Sequence, residues 1–195
     1  MATPAHHPTT AGDLSTAARP STTGDLGAAT LPGPTGDLSA ATLRQAFGAY
    51  PTGVVAIGAL RDSAPDGFAA SSFVSISLEP PMIAVSVART STTWPRLADL
   101  PVLGLSVLSH GQGTLCRRLA ARSGDRFEGT DWQATPDGAV LIEGAALWLT
   151  ARVGAVYDGG DHEIVLMELL TAELFPGVEP LVFHTSQFRE LSPHA

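Results

Sequence analysis

One cysteine, Cys116, stands in 195 residues, so no disulfide framework and no thiolate metal cluster can be built. Runs of lysine or arginine are missing, and the formal net charge is -8. Neither a phosphate backbone nor an anionic lipid surface would attract such a chain, and any anion it binds must be met by local groups. No apolar run approaches bilayer length, and the N-terminus lacks the basic start and apolar centre of a secretory signal. The expectation is a cytoplasmic protein with no nucleic-acid and no membrane partner.

Catalytic signatures are equally sparse. His6, His7, His110, His162, His184 and His194 show no metal-ligand spacing outside the tail pair, and His-Glu-x-x-His is absent, so no metal site is expected. There is no Gly-x-Ser-x-Gly elbow, and Cys116 has no neighbouring base. A hydrolase is therefore poorly supported. Hydride transfer is not touched by these absences, because a cofactor supplies the reacting atom and the protein need only position two rings.

What is present points to a β-rich domain. Hydrophobic residues make up 44%, enough for a core, and 20 glycines and 15 prolines punctuate the chain. Gly12-Asp13-Leu14 returns as Gly24-Asp25-Leu26 and Gly36-Asp37-Leu38, a repeat too short to bury a core by stacking. Residues 1–36 are read as a mobile Pro/Gly/Thr-rich tail, and residues 37–195 as the domain. The third copy runs into Leu43, Ala46, Phe47 and Tyr50, one face of a helix capped by Asp37 or Ser39 and stopped by Pro51.

Strands follow at 54–60, 82–87 and 102–108, with a turn expected at Asp66-Gly67. A helix is expected over 112–121, its Arg117, Arg118 and Arg122 in water. A bent strand is expected over 141–157, another strand starts at His162, and Phe188 and Leu191 close the core. With three short helices, no βαβ alternation and no glycine-rich loop after a strand, the fold class is mainly β, a small antiparallel barrel rather than a doubly wound sheet.

Two stretches can carry chemistry. Gly67-Phe68-Ala69-Ala70-Ser71-Ser72-Phe73-Val74-Ser75-Ile76-Ser77-Leu78-Glu79-Pro80-Pro81 sets four serines among bulky apolar residues, although serine is a poor strand former. Its hydroxyls either serve local turns or meet the polar edge of a flat ligand laid on the small residues. Arg89-Thr90-Ser91-Thr92-Thr93-Trp94-Pro95 leads hydroxyls into a short helix, either as caps or as a phosphate cradle. Asp158-Gly159-Gly160-Asp161 presents His162 at the head of a strand.

Taken in order, Pro51-Thr52-Gly53-Val54, the serine stretch with its Pro-Pro end, Arg126-Phe127, and Gly160-Asp161-His162 with Ile164 resemble the short-chain flavin reductases. These are the reductase components of two-component flavin-dependent monooxygenases, with an FMN-binding split-barrel fold. The resemblance covers about residues 42–191 and implies an NAD(P)H-dependent flavin reductase that passes a hydride from NADH or NADPH to FMN or FAD and yields reduced flavin to a separate monooxygenase. It implies that Thr52, Ala69, Ala70, Ser71, Ser72, Ser75, Ser77, Arg126 and Phe127 bind the flavin, that Ser91, Thr92 and Thr93 hold its phosphate, and that His162 acts at the nicotinamide side.

Three positions depart from the family pattern: Ala69 stands for a threonine, Ala151 for a cysteine and Met167 for a glycine, where a bulky side chain would alter a close backbone approach. The alternatives are a barrel that retains its flavin or another planar cofactor, and a non-enzymatic binding partner whose tail repeat tethers a larger assembly. A homodimer is expected, since a second copy covers both an open barrel edge and a ligand groove.

Overall fold

The computed structural model describes residues 36–191; the first two repeat copies lie outside them. From Leu38 onward the described residues form one compact unit. Helix α1 (Ala40–Gly48) is capped by Ser39, whose Oγ accepts the Thr42 N–H at 3.3 Å. Its apolar stripe does not face the core: Phe47 is 70% and Tyr50 75% exposed.

Strands β1 (Thr52–Gly53), β2 (Val55–Arg61), β3 (Ala64–Ala70), β4 (Val74–Leu78) and β5 (Pro81–Ala88) follow. Next come helix α2 (Trp94–Leu97), strand β6 (Leu103–Val107), and helix α3 (Gly113–Leu119). Strands β7 (Trp132–Ala134), β8 (Val140–Ile142), β9 (Leu147–Gly159), β10 (His162–Leu174), β11 (Val182–His184) and β12 (Gln187–Arg189) complete the chain. Among the described residues no helix is long and apolar enough to cross a membrane.

Seven strands pair antiparallel in the order β3-β2-β6-β9-β10-β5-β4. The two edge strands are consecutive in sequence, joined only by Ser71-Ser72-Phe73. Four backbone steps span at most roughly 14 Å, whereas six inter-strand spacings laid flat would need roughly 29 Å. The sheet must therefore curl until its edges nearly meet, leaving a seam without a ladder: a split barrel. Ser72 pins the seam, its Oγ donating to the Ser86 carbonyl at 2.8 Å and accepting the Ser86 N–H at 2.9 Å. That hydroxyl supplies to β5 what a strand backbone would otherwise give.

β2 reads as an unbroken apolar run because both its faces are covered. Val55, Ile57 and Ala59 point to the barrel interior with Val85, Leu103, Leu105, Leu149 and Val165. Val54 and Ala56 meet a second cluster with Leu115, Leu119, Phe127 and Val140, built where α3 and β8 cover the outside.

Several sequence expectations are corrected. The hairpin turn lies at Asp62-Ser63, both at positive φ (51° and 65°), and Asp66-Gly67 sits inside β3; short polar side chains tolerate that conformation. The expected long strand is divided at Gly144 (φ 72°) into β8 and β9. The bulge near Gly154 is present, with the β9–β10 register shifting between Leu166 and Met167. Arg118 is half-buried and donates to Thr130 Oγ1 at 3.0 Å, and Leu191 is exposed.

Candidate functional site

At the seam the chain assembles a cavity of about 610 Å³, within the range of small-molecule sites. One wall is the end of β3 and the serine link, Phe68 to Ser72. Another is Ser86 to Ala88 with the hydroxyl loop Thr90 to Thr93, a third is the last residue of α3 and the segment after it, Leu119 to Arg122, and Arg126 and His162 complete the lining. Five alanines in these walls, Ala69, Ala70, Ala88, Ala120 and Ala121, leave room for something flat.

Of the residues expected at a site, Ala69, Ala70, Ser71, Ser72, Ser91, Thr92, Thr93, Arg126 and His162 line this cavity. Thr52, Ser75, Ser77 and Phe127 do not. Thr52 is paired to Phe183 in the small sheet of β1, β11 and β12, and Ser75 and Ser77 lie on the edge strand β4. Phe127 is buried in the outer core cluster. Thr90, Ser86 and Arg122 were missed; Thr90 belongs to the same hydroxyl run that drew attention to its neighbours.

The hydroxyls divide by what they already bind. Ser91 Oγ accepts the Trp94 N–H at 3.1 Å and so caps α2. Thr93, 2% exposed, accepts from Arg126 Nη1. Ser71, Thr90 and Thr92 make no side-chain hydrogen bond among the described residues, so their donors remain available to a ligand.

Arg126 is the electrostatic centre. Its Nε donates to the Ala121 carbonyl at 2.9 Å, and its Nη1 to the Gly67 carbonyl at 3.0 Å and to Thr93. Every one of these acceptors is neutral, and no carboxylate pairs with it among the described residues. A half-buried cation held this way is oriented but not neutralised, which favours an anion beside it.

Two other arginines nearby, Arg96 and Arg89, are engaged. Arg96 forks onto Asp66, Nε to Oδ2 at 2.6 Å and Nη2 to Oδ1 at 2.8 Å, and also donates to the Thr92 carbonyl. Burial pushes the Asp66 carboxyl up, but the Arg96 hydrogen bond and charge, the Gly67 N–H and Arg61 together hold it below the usual carboxylate range. Arg89 grips the turn that carries His162: its Nε donates to the Gly160 carbonyl at 3.0 Å, and Nη2 lies 3.1 Å from Asp158.

His162 is half exposed and its Nδ1 lies 2.7 Å from Asp161 Oδ1. The His162 hydrogen bond and charge hold the Asp161 carboxyl below its ordinary range, so at neutral pH it can only accept. Nδ1 then carries the proton, and Nε2 is the ring's remaining polar atom.

Met167 leaves this cavity untouched. It is 0% exposed inside the barrel core, beside Ile83 in register. Ala151 is likewise a core residue, while Ala69 is at the cavity wall. No group of three His, Cys, Asp or Glu side chains among the described residues is arranged to hold a metal ion.

Comparison with known proteins adds a family. Residues 47–192 match the model described as a flavin reductase like domain. An NADH-dependent FAD reductase of Streptomyces globisporus is 38% identical over 157 residues, 78% of this chain and 86% of its own. Reductase subunit HsaB of a flavin-dependent monooxygenase from Rhodococcus jostii is 31% identical over 150 residues, 77% of each chain. Among solved structures, the Streptomyces globisporus NADH:FAD oxidoreductase SgcE6 in complex with NAD and FAD fragments superposes with a TM-score of 0.76 at 38% identity, covering 80% of this chain and 94% of that one.

Proposed function

The chain belongs to the flavin reductase like domain family, and from that membership we propose that it transfers a hydride from NADH or NADPH to a flavin, FMN or FAD, and releases the reduced flavin to a separate monooxygenase. The observation that carries this reading is the convergence, in one cavity, of small flat walls, unpartnered hydroxyls, an unneutralised arginine and a histidine. The donor set fits a flavin: Ser71 and the backbone of Ala69 to Ser72 suit the ring edge, and Thr90, Thr92 and Arg126 suit a phosphate. Bound there, the flavin supplies the ring that accepts the hydride.

The protein's part is positional. The serine link, fixed by the Ser72–Ser86 pair, holds one wall rigid, so a ring lying on it loses little freedom that is not already lost. His162, kept in one tautomer by Asp161, offers Nε2 to the nicotinamide side, where it orients the incoming carboxamide or steadies charge. Neutral anchoring of Arg126 lets its charge act on the phosphate without the fork-to-carboxylate geometry that would compete with it. Met167 sits in the core and does not line the cavity, so it does not crowd a ring bound there.

We assign the reaction to residues 37–195 and place it in the cytoplasm, where reduced nicotinamide is supplied. A homodimer is supported by apolar side chains left in water: Val74, Ile76 and Leu78 on the edge strand β4, Phe47 on α1 and Tyr50 just beyond its end. Sedimentation at low micromolar concentration tests the dimer. Steady-state oxidation of NADH and of NADPH, with and without added flavin, tests the activity. A flavin-dependent rate is expected, and none with either nucleotide sinks the proposal.

A further inference from the structure

Strands β5 and β10 stay paired up to Ala88 and His162. Beyond that pair β5 runs into the hydroxyl loop, and β10 is preceded by the turn at Gly160 and Asp161. Arg89, the first residue past the ladder, carries the pairing one step further: its backbone N–H donates to the Asp161 carbonyl at 3.0 Å. Its side chain then uses all three nitrogens on the same hairpin. Nε donates to the Gly160 carbonyl at 3.0 Å, Nη2 lies 3.1 Å from Asp158 Oδ1, and Nη1 donates to Glu163 Oε1 at 3.3 Å. Asp158 Oδ1 also accepts the Gly160 N–H at 2.9 Å.

Arg89 does not line the cavity, although Ala88 and Thr90 on either side of it do. Its charge is met by Asp158 and Glu163, whereas Arg126 has only neutral acceptors. Arg89 is therefore placed to hold the pieces that touch a ligand and not to touch one itself. The far end of the hydroxyl loop has the same anchor, since Trp94, whose backbone N–H is capped by Ser91, donates to the other oxygen of Glu163. Thr90 and Thr92, the unpartnered hydroxyls of the loop, lie between the two ties.

We propose that Arg89 is a positioning residue for hydride transfer: it makes the hydroxyl loop and the His162 turn a single body, so that the flavin's phosphate speeds the chemical step as well as binding. The inference rests on the reductase reading above. His162 is half exposed at a hairpin end, where local opening costs least. A phosphate seated on Thr90 and Thr92 immobilises the loop, and the ties through Arg89 and Glu163 pass that loss of freedom to the turn. Binding energy from a part of the flavin that does not react is thereby used to orient the imidazole beside the part that does.

The test compares FMN with riboflavin, which has the same ring and ribityl chain without the phosphate. The rate of flavin reduction is measured by rapid mixing at saturating NADH and extrapolated to saturating flavin, for the full chain, Arg89→Gln and Arg89→Lys. Flavin Kd and Tm are measured for each. The Arg89 side chain is 43% exposed, and ion pairs at the surface add little stability, so both variants are expected to fold. The wild type is expected to reduce FMN about tenfold faster than riboflavin. Arg89→Gln is expected to slow FMN reduction about tenfold and to leave riboflavin reduction and the FMN Kd within about twofold. Arg89→Lys, a cation without the fork, should recover part of the FMN rate.

Equal reduction rates for the two flavins in the wild type overturn the proposal, as does equal slowing of both in Arg89→Gln. A loss in Arg89→Gln confined to the FMN Kd also overturns it and makes Arg89 a ligand of the phosphate instead. Equal rates with good turnover leave the reductase reading standing, whereas no flavin-dependent oxidation of NADH or NADPH by the wild type removes both.

Discussion

The Trp94 indole N–H donates to Glu163 Oε2 at 2.9 Å, fastening the helix behind the hydroxyl loop to the residue beside His162. The other Glu163 oxygen accepts from Arg89 at 3.3 Å, and the Arg89 backbone N–H donates to the Asp161 carbonyl at 3.0 Å. One carboxylate thus sets the register between the two halves of the cavity. Glu163→Ala is expected to lower kcat/KM for NADH about tenfold, since misplacement by a fraction of an ångström is felt in hydride transfer. Glu163→Gln, which keeps one acceptor, should recover part of that loss. Unchanged kinetics with a lowered Tm would reduce Glu163 to a structural tie.

His162→Ala is expected to lower kcat/KM for NADH about 100-fold and to leave flavin affinity within about twofold. Asp161→Asn tests the tautomer argument separately. An amide can donate as well as accept, so Nδ1 is no longer obliged to carry the proton, and a several-fold loss with an altered pH profile is expected. Rapid-mixing measurement of flavin reduction distinguishes these effects from slow product release. Full reduction rates in His162→Ala would remove the imidazole from the hydride path.

Much of this arrangement was legible in the sequence, and the parts that were not share a cause. The apolar run Val54 to Leu60, the Ser39 cap and the His162 turn are local patterns, and the structure has all three. Ser72 was singled out because serine is misplaced in a strand, but its partner, Ser86 of β5, is set by barrel closure and not by spacing. Ser75 and Ser77 carried the same compositional signal without the same destination. Met167 read as an obstruction by comparison with a family glycine. The β9–β10 bulge beside it sets which side chains face inward, and register shifts of that kind leave little trace in composition.

Acid sensitivity should trace in part to Asp66. Its native carboxyl is held below the unfolded value of about 3.9 by Arg96, the Gly67 N–H and Arg61, against the opposing effect of burial. A lowered native pKa means that the unfolded chain binds the proton first as pH falls. The stabilisation is therefore complete above pH 4 to 5 and is lost as pH drops through the native value. Asp66→Asn is expected to cost about 2 kcal/mol at neutral pH and to flatten the dependence of the urea midpoint on pH below about 5. An unchanged acid limb in that variant would show that other carboxylates govern it.

Gly104 marks where β8 crosses β6. A Cβ built there would meet the Val140 carbonyl oxygen at 2.1 Å and its nitrogen at 2.9 Å; backbone cannot yield as a side-chain tip can. Gly104→Ala is expected to destabilise by about 3 kcal/mol or more, read as a lowered denaturant midpoint. The Val140 side belongs to the outer cluster that also buries Phe127, so the shift should reach the Arg126 loop and weaken flavin binding as well. A variant of wild-type stability would mean that the close crossing relaxes in solution.

Met167 separates the effect of packing from that of the site. It is fully buried, in register with Ile83 on β5 and Val153 on β9, and is surrounded by the barrel's aliphatic residues. Truncation to alanine removes those contacts and leaves a void that the sheet can only partly close, so Met167→Ala is expected to cost about 2 to 5 kcal/mol. The cavity wall at Ala69 to Ser72 is held by Ser72 and β5, not by this side chain. Flavin affinity at a temperature where the variant is folded should accordingly stay within about twofold of wild type. Affinity that rises sharply on truncation would mean that Met167 does obstruct the ring, and that the position where the family carries glycine acts on the cofactor and not on the core.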